Sequence, residues 1–495
     1  MKKNIRIAGN IFALLAEIAA VLCRSMQDFC QPDYKDRYQW AKCLTEGLLP
    51  YRDFNMLQTP LSLYYYSVFF RFSRSLHTGL LAASLLIALT GLFLFLTARQ
   101  LDKKARLLPV VIWTVFAVFG QGAIYTSMSV MFWSAALYLF FRYRRKSAFR
   151  QLVLIALLCC LCFFSKQNTG ALCVCSLGLC FVYHWIRTKT PLKSALSHTA
   201  VLILCYAGFC GIWLLGFAGC GILRDFADCC LFSASEFTGA HSGAYAADLV
   251  LHMLAVLAAC LLMKQPELAV TGACVTLIAF PILNSPCLLP SYGIYAVLLS
   301  VLKKPEPDDK LRRFMHIAVY AAAAVFTLGQ AVLSAALVCM PEALSRIYPV
   351  FGTRAIMQAQ GGDLKTVAAD LETRFGDGLL PYLESHQTAL SDYHIADTLG
   401  AFYNIRFGRY DRYYDLFLAG NLGSRTPAEI VNETIRNESG HYFIIWADAE
   451  SQSVPNFQDA AVQDAIREIR QRCILTETLY QKDGETPSYC IYQIP

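Results

Sequence analysis

The sequence predicts a polytopic α-helical membrane protein with a small α/β domain at its C-terminal end. Of its 495 residues, 56% are hydrophobic and only 16% are charged, which is more apolar material than an average soluble protein contains. Apolar runs of about 20 residues, the length that crosses a bilayer, recur through the first two thirds of the chain. In the last third, the apolar residues come in short runs broken by glycine, proline and charge.

Hydropathy predicts eleven spans. They are expected near residues 7–23, 78–98, 107–122, 127–141, 151–164, 170–186, 197–217, 247–263, 268–284, 287–302 and 314–339. The opening segment has the basic start of a signal peptide. It lacks a clear small-residue cleavage site and more spans follow, which favours an uncleaved first helix.

Short basic loops alternate with short loops that carry little charge beyond Lys166 and Arg224. The basic loops lie near residues 99–106, 142–150, 187–193 and 303–313. The positive-inside rule assigns them to the cytoplasm. We therefore expect a multi-pass protein of the cytoplasmic membrane with its N-terminus in the cytoplasm. An odd number of spans then puts the C-terminal domain outside.

We place the domain boundary between residues 1–340, the membrane domain, and 341–495, the C-terminal domain. The net charge of +7 divides into +15 for the first part and −8 for the second. Thr426 and Glu429 form a predicted capping box with Pro427 at the first helical position, opening a helix that runs to about residue 436. Further helices are expected at 363–375 and 459–472, and strands at 441–447, 474–480 and 488–494.

Two features that suggest other classes of protein have simpler accounts. The basic residues lie between spans, so they are a topology signal and not a nucleic-acid site. Ten of the 20 cysteines, between Cys159 and Cys274, lie in apolar runs, where they act as small hydrophobes, although Cys23 with Cys30 and Cys473 with Cys490 could pair. Five histidines are scattered singly, and we assign them no metal: His77, His184, His198, His241 and His316.

The most informative stretch is the loop between the first two spans, about residues 24–77, here called the first loop. It gathers acidic, basic and aromatic side chains beside the membrane, a pattern typical of a site where something is bound or deprotonated. Residues 61–73 are apolar but too short to span. We expect a helix lying in the outer interface, with Tyr64, Tyr65 and Tyr66 at headgroup depth.

The ordered pieces of this loop are an early Asp, then Trp40-Ala41-Lys42, Glu46-Gly47, Pro50-Tyr51-Arg52-Asp53-Phe54 and Pro60-Leu61. With the topology, they resemble bacterial membrane glycosyltransferases of the GT-C fold, in the group of protein mannosyltransferases and aminoarabinose transferases. The resemblance implies transfer of a sugar from a polyprenyl-phosphate carrier to an acceptor outside the membrane, with inversion. It leaves open the acceptor (lipid, glycopolymer or protein) and the use of a divalent metal.

The resemblance also implies a general base in the first loop. Alignment of Trp40-Ala41-Lys42 and Gly47 with the family pattern puts this base at Asp33, with Asp36 one helical turn later as the alternative. The family's second acid usually precedes a Pro-Pro pair. Here residues 54–60 hold one proline and no acid. Asp53 takes that role, or Gln58 makes a hydrogen bond in its place.

The leaving polyprenyl phosphate requires a cation. Lys166 is the first candidate because it interrupts an apolar run at the outer surface, where an ammonium needs a partner. Arg52 and Arg224 are alternatives. Tyr292 and Tyr295, at the start of the tenth predicted span, could line the lipid or sugar cleft.

Each acidic or basic candidate also has a purely structural interpretation. Asp33 could cap a helix that begins at Tyr34, and Asp36 could lie on a solvated surface. Asp53 could serve only as the ion-pair partner of Arg52, and Lys166 could extend to the headgroups as a loop lysine.

Two other functional classes fit the topology. A transporter or flippase of lipid-linked glycans predicts charges at mid-membrane and repeat symmetry. A polymerase or ligase of surface polysaccharides predicts a large outer loop late in the chain. The sequence has none of these features, which favours the transferase.

Overall fold

The computed structural model describes residues 32–73, 76–101, 124–232, 376–396, 400–409, 422–448 and 460–495, with isolated helical positions between 310 and 373. The predicted spans at 7–23 and 107–122 and those beyond residue 232 lie outside the described residues, apart from a few positions of the last one.

The described part of the membrane domain is helical. Its elements are α1 (Pro32–Thr45), α2 (Leu61–Phe70), α3 (Leu76–Leu101), α4 (Ile124–Tyr143), α5 (Phe149–Ser165), α6 (Gln167–Arg187), α7 (Leu192–Gly219), α8 (Leu223–Ala227) and a π-helical turn (Asp228–Phe232). Each of the five spans predicted between residues 78 and 217 that fall on described residues lies within one of the helices α3 to α7.

Among the described helices, α6 and α7 meet the length and hydropathy expected of a membrane span. Helix α7 has 28 residues and exposes large apolar side chains such as Leu204 and Leu215, which are 71% and 74% accessible. A soluble protein rarely leaves such a continuous apolar face uncovered, so this face is suited to lipid.

The described residues at or beside three of the basic loops, those near 99–106, 142–150 and 187–193, meet at one end of the helical bundle. The Arg145 guanidinium, beyond α4, donates to the carbonyl of Gln100 near the end of α3. The Tyr143 hydroxyl and His198 Nδ1 form a 2.6 Å hydrogen bond that joins the end of α4 to the start of α7. Helix α5 begins at this end, so its junction with α6 at Lys166 lies at the opposite end of the bundle.

The C-terminal domain is built around a four-stranded sheet of order β1-β2-β4-β3. Strands β1 and β2 are parallel and the other neighbours are antiparallel. Its elements are α9 (Leu379–Ser385), a 3₁₀ turn (Gln387–Asp392), β1 (Tyr393–Ile395), α10 (Gly400–Phe407), α11 (Pro427–Asn437), β2 (Tyr442–Trp446), α12 (Ala460–Arg472), β3 (Ile474–Tyr480) and β4 (Pro487–Gln493).

Helices cover both faces of this sheet. Successive strand residues point to opposite faces. In β2, Phe443 and Ile445 pack with α11 and α12, whereas Ile444 between them packs with α9 and α10. All three are fully buried, which makes β2 the centre of a small three-layer domain.

The helix predicted at 459–472 and the strands predicted at 441–447, 474–480 and 488–494 are confirmed as α12, β2, β3 and β4. The Thr426 hydroxyl accepts from the Glu429 N–H at 3.2 Å, and the Glu429 carboxylate accepts from the Thr426 N–H at 2.8 Å, so the predicted capping box is present. The helix expected at 363–375 lies mostly outside the described residues. Strand β1 and helices α9 and α10 were not predicted. Cys473 and Cys490, which the sequence left as a possible pair, both carry free thiols.

Candidate active site

The acidic candidates Asp33 and Asp36 stand in the first two turns of α1. The helix begins at Pro32, so Asp33 is a helical residue and not the N-cap of a helix that starts at Tyr34. The side chains of Asp33 and Asp36 lie outside the described residues. Their assignment as general base stays a prediction.

Asp53 closes the turn that follows α1. Its Oδ2 accepts a hydrogen bond from the Leu49 N–H at 2.7 Å. Arg52 donates from Nε to Oδ1 at 2.9 Å and from Nη2 to Oδ2 at 3.2 Å. The hydrogen bond from Arg52, supported by that from Leu49, lowers the pKa of Asp53 below its usual value. Asp53 is therefore a fixed carboxylate that holds both this turn and the Arg52 guanidinium.

Tyr51 and Gln58 fix the next part of the loop. Tyr51 has a positive φ of 72°, which is rare for a bulky residue, and its buried hydroxyl donates to the Gln58 carbonyl at 2.7 Å. The side-chain Oε1 of Gln58 is buried and has no hydrogen-bond partner among the described residues. Buried polar atoms of this kind usually bind water or a ligand.

The junction between α5 and α6 meets this part of the loop. Lys166 is the one extended residue between the two helices. Its neighbour Gln167 donates from Nε2 to the Leu57 carbonyl at 2.7 Å, and Gln167 Oε1 accepts from the Thr59 N–H at 3.4 Å. The backbone on both sides of Gln58 is thus bonded to the residue that follows Lys166.

Cys230 of the π-helical turn also contacts this junction. Gln167 Nε2 lies 3.3 Å from the carbonyl oxygen of Cys230. The Thr59 hydroxyl donates to the Phe163 carbonyl at 3.0 Å, so the end of α5 is also tied to the loop. These contacts give Gln167 a central position, although sequence reasoning did not single it out.

The C-terminal domain contacts α1 through polar groups. Gln39 Nε2 donates to the Arg409 carbonyl at 2.7 Å, and Lys42 Nζ donates to the Gly408 carbonyl at 2.6 Å. Both carbonyls follow α10. The polar contacts therefore lie on the helix that carries Asp33 and Asp36.

Helix α10 adds an apolar contact to the same interface. Phe402 and Ile405 are buried in one hydrophobic cluster with Trp40 of α1 and with Tyr66 of α2. Tyr403, which follows Phe402, packs instead in the core of the C-terminal domain. Helix α10 thus belongs to two hydrophobic clusters at once.

A further contact joins the C-terminal domain to the turn after α8. Asp228 Oδ2 accepts from both the N–H and the hydroxyl of Ser424, each at 2.9 Å. Gly423, with φ of +69°, lies so close that an added Cβ would be 2.4 Å from that oxygen. The C-terminal domain therefore packs on the end of the bundle where the first loop meets Lys166.

The structure brings the sequence candidates into two groups. Arg52 and Asp53 form one pair, and the backbone segments of Gln58 and Lys166 form a second group through Gln167. Tyr292 and Tyr295 lie outside the described residues. Asp228 joins Gln167 as a site residue that the sequence did not indicate, because its partner Ser424 lies 196 residues away. Tyr51 belongs to the first-loop pattern, but its hydrogen bond to the Gln58 carbonyl was not predicted.

Residues 58–213 match the family model of dolichyl-phosphate-mannose-protein mannosyltransferases. The matched range includes Gln58 and Lys166 and excludes Asp33, Asp36 and Asp53. No curated protein sequence matches the chain.

Two solved structures of ArnT from Cupriavidus metallidurans align with the chain at 11% identity. The apo structure has a TM-score of 0.51 over 98% of this chain and 97% of that one. The structure bound to undecaprenyl phosphate has a TM-score of 0.49, with 98% of each chain covered. The apo comparison identifies the fold as the polytopic GT-C type, and together with the family match it confirms the resemblance that the first loop indicated.

Proposed function

We propose that the chain is a glycosyltransferase of the cytoplasmic membrane that moves a sugar from a polyprenyl-phosphate donor to an extracytoplasmic acceptor. The observation that carries this proposal is the contact between the first loop and the turn at Lys166 that joins α5 to α6. This contact lies at the end of the bundle opposite the basic loops. The fold and the family match over residues 58–213 support the reaction class. The description of the matched family, dolichyl-phosphate-mannose-protein mannosyltransferases, supports a polyprenyl-phosphate donor.

The proposed orientation follows from the basic loops. The positive-inside rule assigns the end with Arg145 to the cytoplasm. The opposite end, with Lys166, the first loop and the C-terminal domain, then faces outward. This orientation lets a donor in the outer leaflet reach the first loop without leaving the membrane.

In the proposed reaction, Asp33 acts as the general base. Its carboxylate takes the proton of an acceptor hydroxyl while that oxygen bonds to the anomeric carbon from the face opposite the phosphate. The bond between the anomeric carbon and the phosphate oxygen breaks, and its electron pair leaves with the polyprenyl phosphate. The anomeric centre is inverted. Such base catalysis typically contributes about 10²–10⁴-fold.

Cations balance the charge that develops on the leaving phosphate. We assign this role first to Lys166, and to Arg52 as a second cation held by Asp53. A positive group that is already in position stabilises the transition state without rearrangement. Asp53 acts as the supporting acid because it fixes Arg52 and the turn after α1.

Replacement of Asp33 tests the base. The assay uses membranes supplied with undecaprenyl-phosphate mannose and, separately, undecaprenyl-phosphate aminoarabinose, and measures release of undecaprenyl phosphate. We expect Asp33→Asn to lower the rate by about 10²–10⁴-fold with little change in melting temperature. Asp464→Asn, which changes an exposed acid of α12 away from the first loop, is the control.

The companion variant Asp36→Asn separates the two candidates for the base. Full activity of Asp33→Asn together with loss in Asp36→Asn would move the base to Asp36. Full activity of both would remove the general base from the first two turns of α1. Movement of the lipid-linked sugar across the membrane without release of undecaprenyl phosphate would indicate a flippase instead.

Lys166→Ala tests the phosphate contact. Undecaprenyl phosphate itself is the probe, and its binding to the purified full chain is measured by native mass spectrometry. We expect binding to weaken at least tenfold because the ammonium that faces the phosphate is gone. Lys146→Ala, which removes a lysine from the opposite end of the bundle, should leave binding unchanged. Equal binding by both variants would contradict the assignment.

A further inference from the structure

Three side chains with metal-binding atoms converge in the C-terminal domain, where β1, β2 and the end of α11 approach one another. His394 Nε2 lies 2.8 Å from Glu438 Oε2, and His441 Nδ1 lies 3.3 Å from the same oxygen. The two ring nitrogens are 3.4 Å apart. Within the described residues, this is the one group of three such ligands close enough to hold an ion.

The sheet register explains why the two histidines meet. His394 of β1 pairs with Phe443 of β2. His441 precedes Phe443 by two residues, and residues two apart along a strand point to the same face. The two imidazoles therefore lie on one face of the sheet as diagonal neighbours, with nearly parallel rings 5.5 Å apart.

A fixed turn brings Glu438 to the histidines. Glu438 follows α11 directly, and the His441 N–H donates to its carbonyl at 3.2 Å. Gly440 within the turn has φ of +88°, a conformation that favours glycine. Hydrogen bonds of 2.9 and 2.7 Å join Gly440 and His441 to Ile494 at the end of the chain. The ligand geometry is thus built into the backbone.

The spacing of the three atoms fits a tetrahedral ion. Zinc binds imidazole nitrogen and carboxylate oxygen at about 2.0–2.2 Å, which places neighbouring ligand atoms about 3.3 Å apart. Two of the three separations agree with this value. The third, between His394 and Glu438, is a hydrogen-bond distance that a shift of about 0.5 Å would bring to the same length.

We propose that His394, Glu438 and His441 bind one Zn²⁺ ion. Two imidazoles and one carboxylate favour zinc over magnesium or calcium, which prefer oxygen ligands alone. The side chains of His441 and Glu438 are 32% and 28% exposed, so the ion can enter from solvent and water can complete its coordination.

The site connects the C-terminal domain to α1. Tyr393, next to His394, offers its carbonyl to the Arg409 guanidinium, and the Arg409 carbonyl accepts from Gln39 of α1. An ion that fixes β1 against β2 therefore also stabilises the surface that contacts α1. A ligand that binds only the folded state raises the melting temperature as its concentration rises. This inference does not depend on the proposed glycosyl transfer.

The test uses the full chain in detergent, stripped with a chelator and dialysed. Zn²⁺ is titrated against a competing metal indicator, and Co²⁺ is added separately to report a tetrahedral site by its visible spectrum. We expect one equivalent of Zn²⁺ per chain and a higher melting temperature. His441→Ala should lose both, with the stripped variant still folded because this side chain lies at the surface. Glu438→Gln gives a second variant, in which binding should weaken at least tenfold.

His386→Ala is the matched control, since His386 lies in the same domain and outside the group of three. It should bind Zn²⁺ like the unmodified chain. The inference is overturned if the unmodified chain takes up no Zn²⁺ at micromolar concentration, or if His441→Ala and Glu438→Gln bind it equally well. Either result would leave the three side chains as a hydrogen-bonded cluster without a metal.

Discussion

At the residue scale, Tyr51 fixes the shape of the first loop. Its left-handed backbone conformation is unfavourable by about 1–3 kcal/mol for a bulky side chain. Compensation comes from the hydrogen bond to Gln58 and from edge-to-face contacts with Phe217 and Phe226, at centroid distances of 6.4 and 5.5 Å. A conformation that is held in this way presents Arg52 and Asp53 at one defined place.

The role of Asp53 can be measured through two substitutions. Asp53→Ala removes the acceptor of the Leu49 N–H, so we expect a loss of about 1 kcal/mol in the free energy of unfolding. Asp53→Asn keeps an acceptor and loses only the charge, so it should lose less. Thermal unfolding of the purified chain measures both. Equal, negligible losses would show that the turn does not need this side chain.

The pH dependence of the same pair has a definite sign. The pKa of Asp53 is lowered in the folded chain by Arg52, so its contribution is complete at neutral pH and is lost as the pH falls below about 4, through the folded pKa. The difference in melting temperature between the unmodified chain and Asp53→Asn should therefore shrink in acid. A difference that grows in acid would contradict the assignment.

Sequence reasoning found the residue pairs that are close in the chain and missed those that are distant. Arg52 and Asp53 are neighbours, so their ion pair was an open alternative. Gln167 bonds to Leu57, 110 residues earlier, and no local pattern indicates that contact. His394 and His441 are 47 residues apart and lack the spacing of a known zinc motif.

At the element scale, α5 and α6 are packed closely because of one glycine. A Cβ added to Gly170 would lie 2.2 Å from the Cα of Phe163. Since Phe163 also accepts the hydrogen bond from Thr59, this close approach sets the position of the Lys166 turn against the first loop. The sequence predicted separate spans at 151–164 and 170–186 with Lys166 between them, but not the close contact of the two backbones.

Gly170→Ala should separate the two helices at this point. We expect the free energy of unfolding to fall by about 1–3 kcal/mol, typical of an overpacked site, and the binding of undecaprenyl phosphate to weaken. Gly178→Ala on the same helix is the control, because its Cβ would meet nothing within 4 Å. Helix propensity predicts that the free energy of unfolding of this control rises by about 0.5–1 kcal/mol. Equal melting temperatures for the two variants would contradict the role of Gly170.

Elements with a strong local signal were predictable. The spans followed from apolar length, and α11 followed from its capping box. Strand β1 has three residues and α9 has seven, too few for a periodic pattern to appear. Helix α10 has buried residues on two sides, because it faces two clusters, so its pattern is not that of an ordinary surface helix.

At the scale of the whole molecule, the C-terminal domain and the membrane domain share an interface. Phe402 and Ile405 pack with Trp40, and Asp228 bonds to Ser424 at a second position. The sequence predicted a separate domain on the same side as the first loop. It could not predict the interface, because the residues that form it lie more than 190 positions apart.

Phe402→Asp should separate the two domains without unfolding either of them. A carboxylate in the cluster with Trp40 costs several kcal/mol unless the interface opens. We expect loss of transferase activity and faster hydrogen exchange in α1 and α10, while Zn²⁺ binding at His394 and His441 persists. Leu475→Asp, on an exposed position of β3, is the control. Retained activity with unchanged exchange in Phe402→Asp would show that the contact with α1 is dispensable.

The double membership of α10 has a practical consequence for anyone who builds chimeras. Tyr403 packs in one hydrophobic cluster and Phe402 in the other. A junction placed between residues 400 and 407 would therefore disrupt at least one of the two clusters. A foreign C-terminal segment grafted at this point would arrive with a surface shaped for a different α1. Successful transplants should therefore carry residues 32–45 along with the segment that follows residue 376.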